Sequence, residues 1–172
     1  MANSQTEKAR TNKNWPNYLS TGNVTLLINY TSLHDLRKVL MKLKDFFTNR
    51  SGVGVLATAS ETGAVDVAVY SKPHFLDGET ISFIMRDRLT HANVQSNPYA
   101  SYIFIEAGSK SKGIRLYLQK VSETDDQELI SSLSRRSLTP EEDEAKGPKF
   151  LVSFKLIKAL PVLGGEEIVV EL

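Results

Sequence analysis

The stretch MRDRLTHANVQSNP, residues 85–98, decides how the chain around it folds. It lies between two apolar runs, ISFIM at 81–85 and YASYIFIE at 99–106, whose β-branched and aromatic residues are typical of strands. The stretch itself has room for one or two helical turns, which Pro98 ends because the residue before a proline disfavours the helical conformation. We therefore predict a short helix between two strands.

The polar residues at the start of this helix suggest a site for an anion. Thr90 is a favourable N-cap, and Arg86 and Arg88 come just before it. Unpaired backbone amides and the positive end of the helix dipole attract anions, and guanidinium groups bind phosphate through paired, charge-assisted hydrogen bonds. The alternative is that both arginines are solvated and Thr90 only caps. The residue types alone leave both interpretations open.

Six runs along the chain have the composition and period of strands, and most are separated by turn residues. Their connections are too short for the crossovers that parallel strands need. The sequence therefore predicts a mainly β fold, a six-stranded antiparallel barrel with flanking helices. The runs are VGVLATAS (53–60), AVDVAVYS (64–71), ETISFIMR (79–86), YASYIFIE (99–106), IRLYLQKVS (114–122) and KFLVSFKLIKALPVL (149–163).

Three further segments are predicted to be helical. Apolar residues recur at spacings of three and four over 33–47, which predicts about four turns with Ser32 as the cap. Capping-box patterns at 124–127 and 139–142 predict two shorter helices. The acidic run EEDEAK (141–146) is interpreted as a solvated helix face.

Length and composition fit one ordinary globular domain, which we expect to span residues 23–172 after a polar, flexible arm at 1–22. The net charge of +1 excludes a whole-molecule field that would recruit nucleic acid or a membrane surface, and it predicts no basic pocket for a second phosphate. No cysteine and no secretory signal or membrane span are found, so a cytoplasmic location is expected.

Two motifs are set aside. Gly52, Gly54 and Ala57 match a dinucleotide fingerprint, but that fingerprint needs a strand before it and a helix after it, whereas here a helix precedes and a hairpin follows. We interpret the glycines as opening a strand. The histidines lack the spacing of metal ligands and no cysteine can complete a set, so no metal site is predicted.

The order of apolar strand, arginine-rich turn, short helix ending in Asn-Pro and apolar strand resembles the pyridoxamine 5'-phosphate oxidase-like family of FMN-binding split barrels. The resemblance extends over about residues 47–123, in GVLATASETGAVDVAVYS, ISFIMRDRLTHANVQSNPYASYIFIE and GIRLYLQKVS. It implies a split-barrel homodimer with FMN at the subunit interface. The function it implies is an oxidoreductase that transfers hydride or electrons through FMN, with a small-molecule redox substrate such as NAD(P)H.

The resemblance also implies which residues bind the cofactor. One strand segment would lie beside the isoalloxazine ring, the arginine-rich turn and helix would hold the ribityl chain and phosphate, and a third group would reach across from the second subunit. In that order, the residues are Val69, Tyr70, Ser71 and Lys72; Met85, Arg86, Arg88, Thr90, His91 and Asn93; and Arg115 and Leu116.

The chain departs from pyridoxamine-phosphate oxidases proper, which have Ser-Arg-Lys where this chain has Arg88-Leu89-Thr90, and a tryptophan near the C-terminus where this chain has none. Vitamin B6 oxidation is therefore not expected. No catalytic residue is assigned, although His74, Tyr70 and Lys72 are candidates by location. The alternatives are a non-catalytic flavin carrier or redox sensor, a split barrel that binds deazaflavin or haem, and a binding protein without a cofactor.

Overall fold

The computed structural model describes residues 41–135 and 138–172. In chain order the elements are β1 (Met41–Lys42), α1 (Leu43–Thr48), β2 (Gly52–Ala59), β3 (Val65–Tyr70), β4 (Ile81–Arg86), α2 (Leu89–Ser96), β5 (Tyr99–Glu106), β6 (Gly113–Thr124), α3 (Gln127–Leu133), α4 (Pro140–Glu144), β7 (Lys149–Pro161) and β8 (Val170–Glu171). None of the helices among these residues is both long and apolar enough to cross a membrane.

Six strands form one antiparallel sheet in the order β3-β2-β5-β6-β7-β4. The pairing of β6 with β7 shifts register twice, and such bulges increase the local bend of a sheet. The two edge strands approach each other. The ring centroids of Tyr70 and Phe83 are 6.0 Å apart, and His74, which follows β3, forms an antiparallel bridge with Ser82 of β4. The predicted six-stranded antiparallel split barrel is confirmed.

The core lies inside the curled sheet and follows from strand alternation. In β5, Tyr102 and Phe104 point inward and are fully buried, while the intervening Ile103 is only half-buried. Helix α1 closes one end of the barrel because Phe46 and Phe47 pack edge-on against Phe104. Apolar burial of this kind is the main stabilising term of the fold.

Gly54 in β2 makes room for a core side chain. A Cβ at this position would lie within 1.9 Å of the Tyr102 hydroxyl oxygen, so only glycine fits beside that ring. The hydroxyl donates a hydrogen bond to the backbone oxygen of Ser71 at 3.2 Å, which ties the core to the segment after β3. The glycines therefore open a strand, as expected, and do not form the turn of a dinucleotide fingerprint.

The N-terminal predictions fall mostly outside the described residues. The arm at 1–22 and the part of the expected helix at 32–40 lie there. The expected helix is wrong at Met41–Lys42, which forms strand β1 and pairs in parallel with β8; the helix begins only at Leu43. The reason is that the partner strand lies some 130 residues further along the chain, and the spacing of apolar residues within one segment carries no information about such a distant partner.

Two of the expected helix caps are wrong by one or two residues. Helix α2 begins at Leu89 with Arg88 as its N-cap, so Thr90 lies inside the first turn. Helix α3 is capped by Asp126, because Thr124 is held in the β6 ladder opposite Leu151. The capping box at 139–142, by contrast, is present at the start of α4.

Candidate functional site

The two edge strands of the barrel enclose a cleft of about 380 Å³, which we call the β3–β4 cleft. Its lining includes residues at the start of α2 and residues of the segment that follows β3. Residues of α4 and of the chain on both sides of α4 also line the cleft. The cleft falls within the size range of cofactor pockets, roughly 300–1,000 Å³.

Seven of the twelve expected cofactor-binding residues line this cleft. All seven lie on the two edge strands, just after β3, or at the start of α2. They are Val69, Tyr70, Ser71, Lys72, Arg86, Arg88 and Thr90.

The other five expected residues do not line it. Met85 and Leu116 are fully buried in the core. Asn93 is buried and donates a hydrogen bond to the hydroxyl of Thr58 at 3.0 Å. Arg115 lies in β6, where its Nε donates to the backbone oxygen of Pro161 at 2.9 Å.

His91 is also held away from the cleft. Its ring stacks on Phe150, with centroids 4.2 Å apart and planes nearly parallel. Its Nδ1 lies 3.3 Å from an oxygen of Asp87, and its Nε2 lies 2.8 Å from the amide nitrogen of Gln95. The imidazole therefore joins α2 to β7 and has both ring nitrogens engaged.

Basic side chains dominate the lining of the cleft. Among the described residues that line it, six are lysine or arginine and only Asp143 is acidic. The net charge of +1 averages over the whole surface and hides this local excess of positive charge. The six basic residues are Lys72, Arg86, Arg88, Arg135, Lys146 and Lys149.

Half of these basic residues lie beyond the part of the chain in which the sequence indicated a site. Arg135, Lys146 and Lys149, like Asp143, lie in or next to the segment between β6 and β7. The available signal was weak: basic residues flank a short acidic helix on both sides. Nothing in their spacing says that this segment folds back over the cleft.

Arg86 is tied to the α4 region. One of its terminal nitrogens donates to the backbone oxygens of Asp143 at 2.8 Å and Gly147 at 2.5 Å. The other forms an ion pair with the Asp143 carboxylate at 2.5 Å, and Lys149 contacts the second oxygen of that carboxylate at 2.5 Å. Hydrogen bonds from Lys149 and then Arg86 lower the pKa of Asp143, so this carboxylate stays ionised.

Lys72 and Arg135 are anchored by backbone oxygens. The Lys72 ammonium donates to the backbone oxygens of Phe47 at 2.7 Å and Arg50 at 3.0 Å, at the end of α1. Arg135 donates to the backbone oxygens of Lys72 at 2.5 Å and Pro73 at 3.2 Å. Carbonyl oxygens orient these groups but do not neutralise their charge.

Tyr70 and His74, which line the cleft on the β3 side, are uncharged at neutral pH. Burial raises the pKa of Tyr70, and a hydrogen bond with Thr90 opposes that shift only in part. Burial, and secondarily the charge of Arg135, lowers the pKa of His74 to about 4. The positive potential of the cleft therefore comes from its lysines and arginines.

The start of α2 adds backbone hydrogen-bond donors next to Arg88. Arg88 is the N-cap residue and makes no capping side-chain hydrogen bond, while the Thr90 hydroxyl donates to Asp66 at 3.2 Å. The first amides of a helix have no partner within it. Amides, helix dipole and guanidinium together form an arrangement that can hold a phosphate or another anion.

Comparison with known proteins gives a match by structure only. No family model matches the chain, and neither does any curated protein. An FMN-binding protein from Syntrophomonas wolfei subsp. wolfei aligns with a TM-score of 0.58 at 23% identity, over 77% of this chain and 92% of that one. An F420 reductase aligns with a TM-score of 0.54 at 15% identity, over 67% and 94%.

A third similar structure is a protein of the pyridoxinephosphate oxidase family from Clostridium acetobutylicum, described as related to general stress protein 26 of B. subtilis. It aligns with a TM-score of 0.50 at 9% identity, over 75% of this chain and 89% of that one. This chain has the split-barrel fold. The resemblance read from residues 47–123 is thereby confirmed at the level of fold.

Proposed function

We propose that this chain is an FMN-binding split-barrel flavoprotein that acts as an oxidoreductase on a small-molecule substrate such as NAD(P)H. The observation that carries the proposal is the β3–β4 cleft, a cavity with aromatic side chains in its wall that is lined by a helix start without a side-chain cap and by six basic residues. The FMN-binding protein among the similar structures supports the choice of cofactor.

The cofactor phosphate would lie at the start of α2. Arg88 is exposed there and has no acidic partner among the described residues, so its guanidinium is available for a bidentate contact. The first amides of α2 would complete the phosphate site. Arg86 and Lys149 also line the cleft and add positive charge.

The flavin ring would lie along β3. Because β3 is an edge strand, half of its backbone N–H and C=O groups point away from β2 and are available to the polar edge of the ring. Tyr70 and Phe83 supply an apolar wall beside them. FMN, when bound, supplies the hydride or electron transfer; the protein positions it and keeps water from its ring.

A homodimer fits the outer face of the sheet. Val65, Val67 and Val69 form a row along β3 in which each side chain is more than 60% exposed. Their cross-strand neighbours on β2 are Ala59, Ala57 and Val55, so the apolar surface continues inward from the edge. Contiguous exposed apolar surface is typical of protein interfaces. Since Val69 also borders the cleft, a second copy on this face would lie against the cofactor.

The experiment that tests the proposal is a titration of the purified protein with FMN and with riboflavin, which lacks the phosphate. Replacement of Arg88 by alanine should weaken FMN binding by roughly 1.5–3 kcal/mol, the contribution of a hydrogen bond to a charged group, and leave riboflavin binding unchanged. Lys110→Ala, a basic residue in the loop between β5 and β6, is the control and should change neither. Equal losses for both ligands would rule out the phosphate assignment.

A deazaflavin is the second candidate, because an F420 reductase is among the similar structures. The same titration with F420 separates the two cofactors by relative affinity. The absorption spectrum of the protein as isolated would identify haem by its Soret band. Rapid mixing of the FMN-loaded protein with NADH and NADPH tests catalysis: flavin that stays oxidised with both would favour a carrier or redox sensor.

A further inference from the structure

Helix α4 is attached to the barrel through charges and not through apolar packing. None of its residues is buried, and its first turn is fixed locally by the capping box of Thr139 and Glu142. What holds it over the cleft is Asp143, whose two carboxylate oxygens contact Arg86 and Lys149 at 2.5 Å each. Both basic side chains are largely enclosed, with 19% and 13% of their side-chain surface exposed.

These contacts occupy three of the five donors of Arg86. A guanidinium has five N–H groups. Three of them point to the α4 region: two to the backbone oxygens of Asp143 and Gly147, and one to the Asp143 carboxylate. A phosphate that approached Arg86 and Lys149 would therefore meet two cations that are already paired with the Asp143 carboxylate.

We propose that Asp143 is an affinity-determining residue of the cleft, an internal anion that occupies the Arg86 and Lys149 donors and competes with the phosphate of the bound ligand. The inference rests on the proposed binding of a phosphorylated flavin in this cleft. It adds that the Asp143 carboxylate must give up its contacts with Arg86 and Lys149 before a phosphate can pair fully with both of them. Arg88, which Asp143 does not contact, remains the first contact for the phosphate.

The charges in the cleft explain why the Asp143 carboxylate is expected to compete with the phosphate of the ligand and not to assist its binding. One carboxylate neutralises part of the charge of two cations, whereas a phosphate monoester carries about −1.5 to −2 at neutral pH and would pair better with both. Two anions on the same pair of cations repel each other. Loss of the carboxylate should therefore favour the ligand.

The test compares Asp143→Asn with Glu144→Gln in the full-length protein. Both variants remove one negative charge from α4, but Glu144 is exposed and forms no ion pair with Arg86 or Lys149 in the structure. Asp143→Asn should bind FMN about tenfold more tightly than the wild type, the scale of one charge-assisted hydrogen bond, while Glu144→Gln should not. Riboflavin binding should be equal in all three proteins. Unchanged or weaker FMN binding by Asp143→Asn would overturn the inference.

Thr139→Ala separates charge competition from simple loosening of α4, because it removes the capping box and keeps the carboxylate. Tightening by this variant equal to that by Asp143→Asn would assign the effect to loosening and would overturn the inference. Inorganic phosphate serves as a second probe: it should raise the thermal unfolding midpoint of Asp143→Asn more than that of the wild type. If no protein binds FMN, the proposed function fails, and the phosphate comparison still decides the role of Asp143.

Discussion

The barrel interior and the β3–β4 cleft share two strands but have opposite composition. Inside, Tyr102, Phe104 and Phe83 are at most 2% exposed and contact one another or the aromatic residues of α1. In the cleft, basic side chains from several segments face one carboxylate. The difference separates stability from binding. Buried apolar surface stabilises the fold, whereas positive charge without matching anions adds no stability and is available to a ligand.

The largest effect should come from the interior. Phe104→Ala removes a fully buried ring that packs against Phe46 and Phe47, and it should lower the free energy of unfolding by about 3–5 kcal/mol. Leu163→Ala is the control, since that side chain is 73% exposed and its loss should change the value by less than about 0.5 kcal/mol. Urea unfolding measures both. Similar losses in the two variants would break the distinction between the regions.

A smaller effect is expected at Lys72, which belongs to both regions. Lys72 lines the cleft, but its ammonium donates to the backbone oxygens of Phe47 and Arg50. Lys72→Met should therefore lower the free energy of unfolding by about 1–2 kcal/mol, and FMN affinity should change by less than about threefold. Lys155→Met, at an exposed position of β7, provides the control. Full stability with lost FMN binding would instead place the ammonium against the cofactor.

A third effect concerns the pH dependence of stability. The pKa of His74 is about 4 in the folded protein and 6.5 ordinarily, so between these values the unfolded chain binds more protons than the folded one. The free energy of unfolding should consequently fall as pH drops from 6.5 toward 4. In His74→Gln this fall should be shallower than in the wild type. Urea unfolding at several pH values measures it, and identical pH profiles would contradict the burial of a neutral imidazole.

The strands could be predicted because their information is local. In YASYIFIE, alternate side chains face the core and the outside, and the period of two remains visible whatever the partner strand is. The short helix before this strand was also predictable, since an Asn-Pro pair ends it. The caps of α2 and α3 were not. Thr124 has the right chemistry for a cap, but its ladder position opposite Leu151 overrides that preference.

The cleft was predictable only in its sequence-local part. Arg86, Arg88 and Thr90 lie within five residues, and an arginine-rich turn before a helix is a recognisable pattern. Arg135 and Lys149 join them through the path of the chain after β6, which no spacing encodes. The same limit applies to Met41–Lys42, whose strand conformation depends on β8.

The valine row on β3 has a consequence for how the protein behaves when concentrated. An edge strand with three outward β-branched side chains, Val65, Val67 and Val69, has the composition of segments that nucleate aggregates. Asp66 is the one charged residue of β3, but it belongs to the opposite face of the strand, where its carboxylate accepts a hydrogen bond from the Thr90 hydroxyl. Whether concentrated protein stays in solution or precipitates should therefore depend on whether this strand is covered by another molecule.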